Sequence, residues 1–209
     1  MRIIAGQFRG RKLLGPKGQT TRPMTDRVRT ALFDALGPAL AGGTVLDLFA
    51  GTGVLGLEAL SRGADRCCFA ERDRSALERL RRNIEALGLT RRCEVWPGDV
   101  LAILARRLEA LAEPVQVAFV DPPYSLTESW SWERAVERIF TPLGRRLAAG
   151  GTVVLRCRRN IQVPATLGPL SVRRRRQYGK MALLFLTTAE VGPDEAEDPP
   201  AVKAEGNRT

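Results

Sequence analysis

The 209-residue chain contains no histidine. Ser-His-Asp triads, imidazole general bases and histidine-ligated zinc sites are thereby excluded by composition. Cysteine is scarce: Cys67, Cys68, Cys93 and Cys157 show no C-x-x-C spacing and fall in apolar runs, where a reduced thiol acts as a small hydrophobe. No stretch approaches the roughly 20 consecutive apolar residues of a membrane helix, and the opening Met1-Arg2-Ile3-Ile4 lacks the apolar core of a secretory signal. A cytoplasmic protein with no membrane partner and no metal is expected.

What the chain has is positive charge. The net charge is +10, and residues 190–209 hold six acids against two bases, so residues 1–189 carry 31 bases and 17 acids, a net +14. Such a field attracts polyanions, and phosphate neutralisation gives salt-sensitive affinity for nucleic acid. Residues 190–209 are too poor in apolar side chains to build a core and read as a disordered acidic tail.

Residues 1–24 are rich in Gly, Pro and basic side chains, with short β-like pieces at Arg2-Ile3-Ile4 and Lys12-Leu13-Leu14, and read as a basic arm or hairpin. From Asp26, Val28, Ala31, Leu32, Ala35 and Leu36 recur at helical spacing, with Thr25 or Asp26 as the cap. Strands then alternate with helices over residues 25–189. The strands predicted are 44–49, 66–70, 93–96, 115–120 and 152–157, followed by two β-like segments, 170–177 and 181–187, close enough to pair as a hairpin. One long helix is expected from Trp132 to Leu147, disturbed at Pro142. The alternation predicts a Rossmann-like α/β sandwich, its seven-stranded sheet mostly parallel with an antiparallel C-terminal hairpin. Ligands in such folds bind beyond the carboxyl ends of the strands.

The first strand runs into Asp47-Leu48-Phe49-Ala50-Gly51-Thr52-Gly53. Gly51, Gly53 and Gly56 also satisfy G-x-G-x-x-G, so a nicotinamide-dependent oxidoreductase stays open. Glu71 ends the second strand, where an acid can accept hydrogen bonds from both ribose hydroxyls of an adenosine cofactor. Asp47 favours S-adenosylmethionine, because an acid there can hold an ammonium and would repel a pyrophosphate. Asp99, after the third strand, either contacts adenine or caps the helix that begins at Val100.

Asp121-Pro122-Pro123-Tyr124 follows the fourth strand directly. An exocyclic base amine is a poor nucleophile because its lone pair is delocalised into the ring. The Asp121 carboxylate and a carbonyl such as that of Pro122 can accept its two N–H groups and favour a pyramidal nitrogen. The prolines fix φ and remove donors. Tyr124 offers a flat face for a base that has left its stack.

Together with Asp-Leu-Phe-Ala-Gly-Thr-Gly, this tetrapeptide resembles the amino-group methyltransferases of class I fold. The opening Met-Arg-Ile-Ile-Ala-Gly, Arg9-Gly10-Arg11-Lys12-Leu13, Arg22-Pro23 and Thr25-Asp26-Arg27-Val28-Arg29 resemble the RsmD family, whose members methylate N2 of a guanine in 16S ribosomal RNA. The resemblance runs over roughly residues 1–188. It implies S-adenosylmethionine contacts at Asp47, Gly51, Glu71 and Asp99, with Phe49, Gly53, Arg72 and Val100 beside them, and a catalytic loop of Asp121, Pro122, Pro123 and Tyr124. It also implies that Arg22, Thr25 and Arg27 line the cleft mouth, and that the substrate is small-subunit ribosomal RNA or an assembling ribosomal subunit. Met24 stands where the family has a small hydroxyl residue, Thr30 where an acid is usual, and Arg156 where the fifth strand usually ends in an acid.

Basic clusters at Arg9, Arg11 and Lys12 and at Arg22, Arg27 and Arg29 are expected to flank the active-site mouth. Arg156, Arg158, Arg159 and the run Arg173 to Arg176 with Lys180 extend the basic surface. Phosphate contacts of this kind position RNA without reading its sequence. A non-catalytic RNA-binding module and a methyltransferase acting on DNA amino groups remain alternatives. A monomer is expected, since no apolar helix is left unpartnered.

Overall fold

A computed structural model describes residues 1–16 and 24–188 of the chain. Five parallel strands form its centre: β1 (Thr44–Leu48), β2 (Arg66–Glu71), β3 (Cys93–Pro97), β4 (Val115–Val120) and β5 (Leu147–Arg158). β6 (Thr166–Leu167), β7 (Leu170–Tyr178) and β8 (Met181–Thr188) extend one edge, giving the order β3-β2-β1-β4-β5-β8-β7-β6. β5–β8, β8–β7 and β7–β6 are antiparallel. The chain leaves β1 towards β2 and returns as β4 on its other side, so the crevice of this sheet opens between β1 and β4.

The described sheet has eight strands rather than seven. The extra strand is only Thr166–Leu167, paired across Gly168 and Pro169 with Leu170 and Ser171, too short to leave a period-two pattern. The helix expected from Trp132 to Leu147 is three pieces: α6 (Trp132–Ala135), a π-helical turn (Val136–Phe140) and α7 (Thr141–Arg146). Pro142 has no N–H to continue the ladder, and the widened turn lies immediately before it.

β1 is buried along its whole length and β4 at every residue but Gln116, the signature of strands covered on both faces. One face is packed by α1 (Asp26–Leu36), α2 (Val54–Ser61) and α3 (Arg74–Ala86) through Phe33, Leu57, Leu60, Leu77 and Leu80. The other is packed by α4 (Val100–Glu109), the π-helical turn and α7 through Leu104, Leu108, Ile139 and Leu143. Thr25, Asp73 and Asp99 cap α1, α3 and α4, each side chain accepting from an amide of the first turn.

The N-terminal segment folds back on itself through an antiparallel bridge of Arg2 with Lys12 and buries Ile3 and Leu13 in the α1–α3 layer. Buried Glu58 on α2 accepts from the Ile4 and Ala5 amides at 2.7 and 3.0 Å, and Ser61 Oγ accepts from the Phe8 amide at 3.0 Å. Among the described residues, no helix is long and apolar enough to cross a membrane. Cys67, Cys68 and Cys157 are buried free thiols, Cys93 is half-buried, and burial pushes Cys68 and Cys93 up to about 12.

Candidate active site

A cavity of about 550 Å³ lies beyond the carboxyl ends of β1 to β5. Of the residues singled out in the sequence, Phe49, Gly51, Glu71, Arg72, Asp99, Val100, Asp121 and Pro123 line it. Met1, Pro16 and Met24 close one side.

Phe49 is the one non-glycine residue with positive φ among those described, at 61°, and it turns the chain out of β1 into the glycine loop. Gly51 follows with φ 56° and open space where a Cβ would stand. At Gly53, φ is 81°, a conformation side chains rarely adopt, and a Cβ would lie 2.3 Å from Leu80 Cδ1, so a side chain here would be strained and would displace Leu80. Glu71 is held by three amides: Oε2 accepts from Gly51 at 2.8 Å, and Oε1 from Arg72 and Asp73 at 2.8 Å each. A carboxylate fixed this way is aimed before any ligand arrives. Asp99 unites the two readings given to it: it lines the cavity and caps α4, accepting from the Leu101 amide at 2.9 Å, with Arg72 Nη1 3.5 Å from its other oxygen.

Asp47 is placed differently from the expectation. It is 1% exposed, does not reach the cavity wall, and accepts from the Gly56 amide at 2.9 Å. Its carboxyl therefore sits under the start of α2. Burial drives the Asp47 carboxyl well above the ordinary range, and the Asp121 and Glu71 charges add to this, while the Gly56 amide opposes it. An acid with a raised folded pKa stabilises the fold fully only below its unfolded value of about 3.9, and loses that contribution as pH rises through the folded value. Asp47→Asn, which keeps an acceptor for Gly56, is therefore expected to gain thermal stability relative to the wild type as pH increases. Melting curves at about pH 5 and pH 8 check this; a difference that does not change between them would contradict it.

Asp121 leaves β4 on the same face as Asp47, because Asp47 pairs with Phe119 two residues before it. Its amide donates to the Leu48 carbonyl at 3.2 Å. Its carboxylate is ion-paired with Nε of Arg156, the side chains being 19% and 9% exposed. Burial raises the Asp121 carboxyl above the ordinary range and Arg156 counteracts it. Pro122 is buried and the half-buried Tyr124 starts α5 (Tyr124–Glu128); neither is among the residues that line this cavity, and both lie next to Asp121 and Pro123, which do. The Pro123 carbonyl accepts from the Leu126 and Thr127 amides, whereas no backbone hydrogen bond among the described residues uses that of Pro122. The guanidinium carbons of Arg156 and Arg158 lie 5.3 and 4.9 Å from the Tyr124 ring centroid, and Arg158 is also ion-paired with Glu128.

Other expected contacts are not brought together here. Arg11 donates to the Ala86 carbonyl at the C-terminal end of α3, and the turn carrying Arg9 is pinned to Ser61 at the end of α2. Both contacts lie at the C-terminal ends of those helices, and neither arginine is among the residues that line the cavity. Thr25 caps α1 and Arg27 is exposed; neither lines the cavity. Arg22 lies outside the described residues. Arg156 was marked in the sequence only as a departure and a member of a basic cluster, yet it touches both Asp121 and Tyr124. Its position at the carboxyl end of β5 was the signal available. Among the described residues, no three His, Cys, Asp or Glu side chains gather as a metal set.

A Rossmann-like sheet with a glycine turn after β1, a fixed acid ending β2 and Asp-Pro-Pro-Tyr ending β4 defines a methyltransferase of class I fold. Residues 1–187 match the family described as Conserved hypothetical protein 95, and the chain belongs to it. It is 36% identical over 184 residues to "Putative rRNA methyltransferase YlbH" of Bacillus subtilis, covering 86% of this chain and 94% of that protein. It is 42% identical over 124 residues to Ribosomal RNA small subunit methyltransferase D of Escherichia coli, covering 59% of this chain and 60% of that one. Among solved structures, "Putative methyltransferase yhhF" from Escherichia coli superposes with a TM-score of 0.74 at 32% identity, over 90% of this chain and 97% of that one.

Proposed function

We propose that the protein transfers a methyl group from S-adenosylmethionine to the exocyclic N2 of a guanine in small-subunit ribosomal RNA, working as a cytoplasmic monomer on 16S RNA or an assembling subunit. The observation that carries this reading is the Asp121 carboxylate on the wall of the same cavity that Glu71 enters from β2. The printed names of its relatives support the RNA substrate.

The residues fit the cofactor. The cavity volume suits a nucleoside-sized ligand. Glu71, already oriented by three amides, accepts the ribose hydroxyls, while Phe49, Asp99 and Val100 enclose the base. Gly51 lets the main chain approach, and Asp47 acts from beneath by holding the start of α2 through Gly56. S-adenosylmethionine supplies an electrophilic methyl on a sulfonium. Asp121 and the Pro122 carbonyl would accept the two N–H groups of the target amine and turn its lone pair towards that methyl; as the C–N bond forms the C–S bond breaks, leaving the thioether S-adenosylhomocysteine, and the proton lost from the nitrogen would pass by way of the Asp121 carboxylate to solvent. Tyr124 supports the displaced base, and alignment rather than acid–base catalysis carries the rate.

The nicotinamide alternative is disfavoured by the Asp47–Gly56 hydrogen bond. A dinucleotide pyrophosphate needs the positive end of that helix, and here a buried carboxylate already accepts from it. The test is transfer of labelled methyl to unmethylated small-subunit RNA, free and in particles, with the product nucleoside identified by mass spectrometry. N2-methylguanosine is expected; transfer to DNA alone, or no transfer beside tight NAD binding, would overturn the reading.

A further inference from the structure

The run Arg173 to Arg176 in β7 would, in a regular strand, send alternate arginines to opposite faces. Register shows that it is not regular. Val172 pairs with Leu186, but Arg174 pairs with Phe185, so Arg173 is an extra residue forming a β-bulge. The bulge changes the phase of the strand. Val172 shares the face of Leu186, packed by α4 and α7, whereas Arg174 and Arg176 share the face of Phe185 and Leu183, the face of the cavity.

The same row continues across the sheet. Leu183 pairs with Arg176 on one side and with Arg156 on the other, and Met181 pairs with Tyr178 and with Arg158. Arg156, Arg158, Arg174 and Arg176 thus surround Leu183 and Phe185 on one face, starting at Asp121 and Tyr124. Arg174 and Arg176 are half-buried, their stems along apolar neighbours. Arg175 points away and donates to the Arg159 carbonyl at 2.8 Å.

We propose that Arg158, Arg174 and Arg176 form a phosphate-binding face that holds the RNA backbone beside the nucleotide entering the active site. This rests on the RNA reading above and names the surface that serves it. A flexible polyanion suits the face: the cations are in a row, the apolar side chains between them are buried, and the row ends at the aromatic ring that receives the base. Glu128 screens only the end of the row, through Arg158.

The test compares two double charge reversals in the full chain. Arg174→Glu with Arg176→Glu removes the middle of the face. Arg106→Glu with Arg145→Glu makes the same charge change on exposed positions of the opposite helix layer. Binding to a 16S RNA fragment is measured across salt concentrations, beside S-adenosylmethionine affinity and melting temperature. The first pair is expected to weaken RNA binding roughly tenfold or more and to flatten the logarithmic salt slope by about 1.4 to 1.8, the value for two phosphates. Cofactor affinity stays as in the wild type, and the second pair changes RNA binding far less. Equal weakening by both pairs, or unchanged binding by the first, overturns the proposal. So does loss of cofactor binding and melting temperature in the first pair while the milder Arg174→Gln with Arg176→Gln variant, still folded, keeps its RNA affinity. If the wild type binds RNA through this face but transfers no methyl to it, the enzymatic reading fails and the face stands.

Discussion

Replacement of Asp121 by alanine is expected to lower the rate of methyl transfer by about 10²–10³-fold, the effect of removing one preorganised polar group from a reacting centre. The cofactor affinity should stay close to that of the wild type, because the groups proposed to hold the ribose and adenine belong to β2 and β3. Asp121 is the only carboxylate that ends β4, and its backbone is fixed by the Leu48 carbonyl on the adjacent strand. The substitution removes one of the charges that raise the Asp47 carboxyl but leaves Arg156, 9% exposed, without its partner, so melting temperature is recorded beside the rate and only folded protein is compared. Single-turnover transfer from labelled cofactor gives the rate, and calorimetric titration gives the affinity. A rate within tenfold of the wild type would remove Asp121 from the chemistry, whatever the cofactor affinity.

That prediction depends on a residue the sequence identified alone, and it is instructive which others it did not. β4 was legible because a strand buried on both faces is a continuous apolar run, and the ligand-facing residues of such a sheet follow its ends. Glu71 and Asp99 were legible for the same reason. Asp47 was found, but a strand-end acid can serve a ligand or a helix start, and only the fold shows that one of its oxygens accepts from the Gly56 amide. Where Arg9 and Arg11 lie relative to the cavity was not legible, because it depends on how the N-terminal hairpin docks on Glu58 and Ser61, more than fifty residues away in the chain. The bulge at Arg173 depends on register between β7 and β8, which no local pattern encodes.

Arg156 is the clearest case, since its partner is set by neighbouring strands. β4 and β5 run parallel with Val120 beside Leu155, which brings Asp121 beside Arg156 one step later. In Arg156→Met the side chain keeps its length and loses its charge. Asp121, already raised by burial, then loses the cation that lowers it, so its carboxyl rises further and a larger fraction is protonated at any given pH. If the ionised form is the acceptor, the acid limb of kcat/KM moves to higher pH, with the largest loss of activity at low pH and partial recovery as pH increases. Stability changes in the opposite sense. A group whose folded pKa is raised loses its stabilising contribution as pH climbs through that value, so the deficit of the variant against the wild type grows from about pH 5 to pH 8. Breaking a buried pair costs about 3–5 kcal/mol, and the partial exposure of Asp121 reduces this to roughly 2–3 kcal/mol at the alkaline end. Arg156→Lys restores a positive charge and should return the acid limb most of the way, without the planar group beside Tyr124. A pH–rate profile for the three proteins, read beside their melting curves, distinguishes this from a packing effect. A purely structural Arg156 would lower activity equally at every pH, and methionine and lysine would differ only in melting temperature.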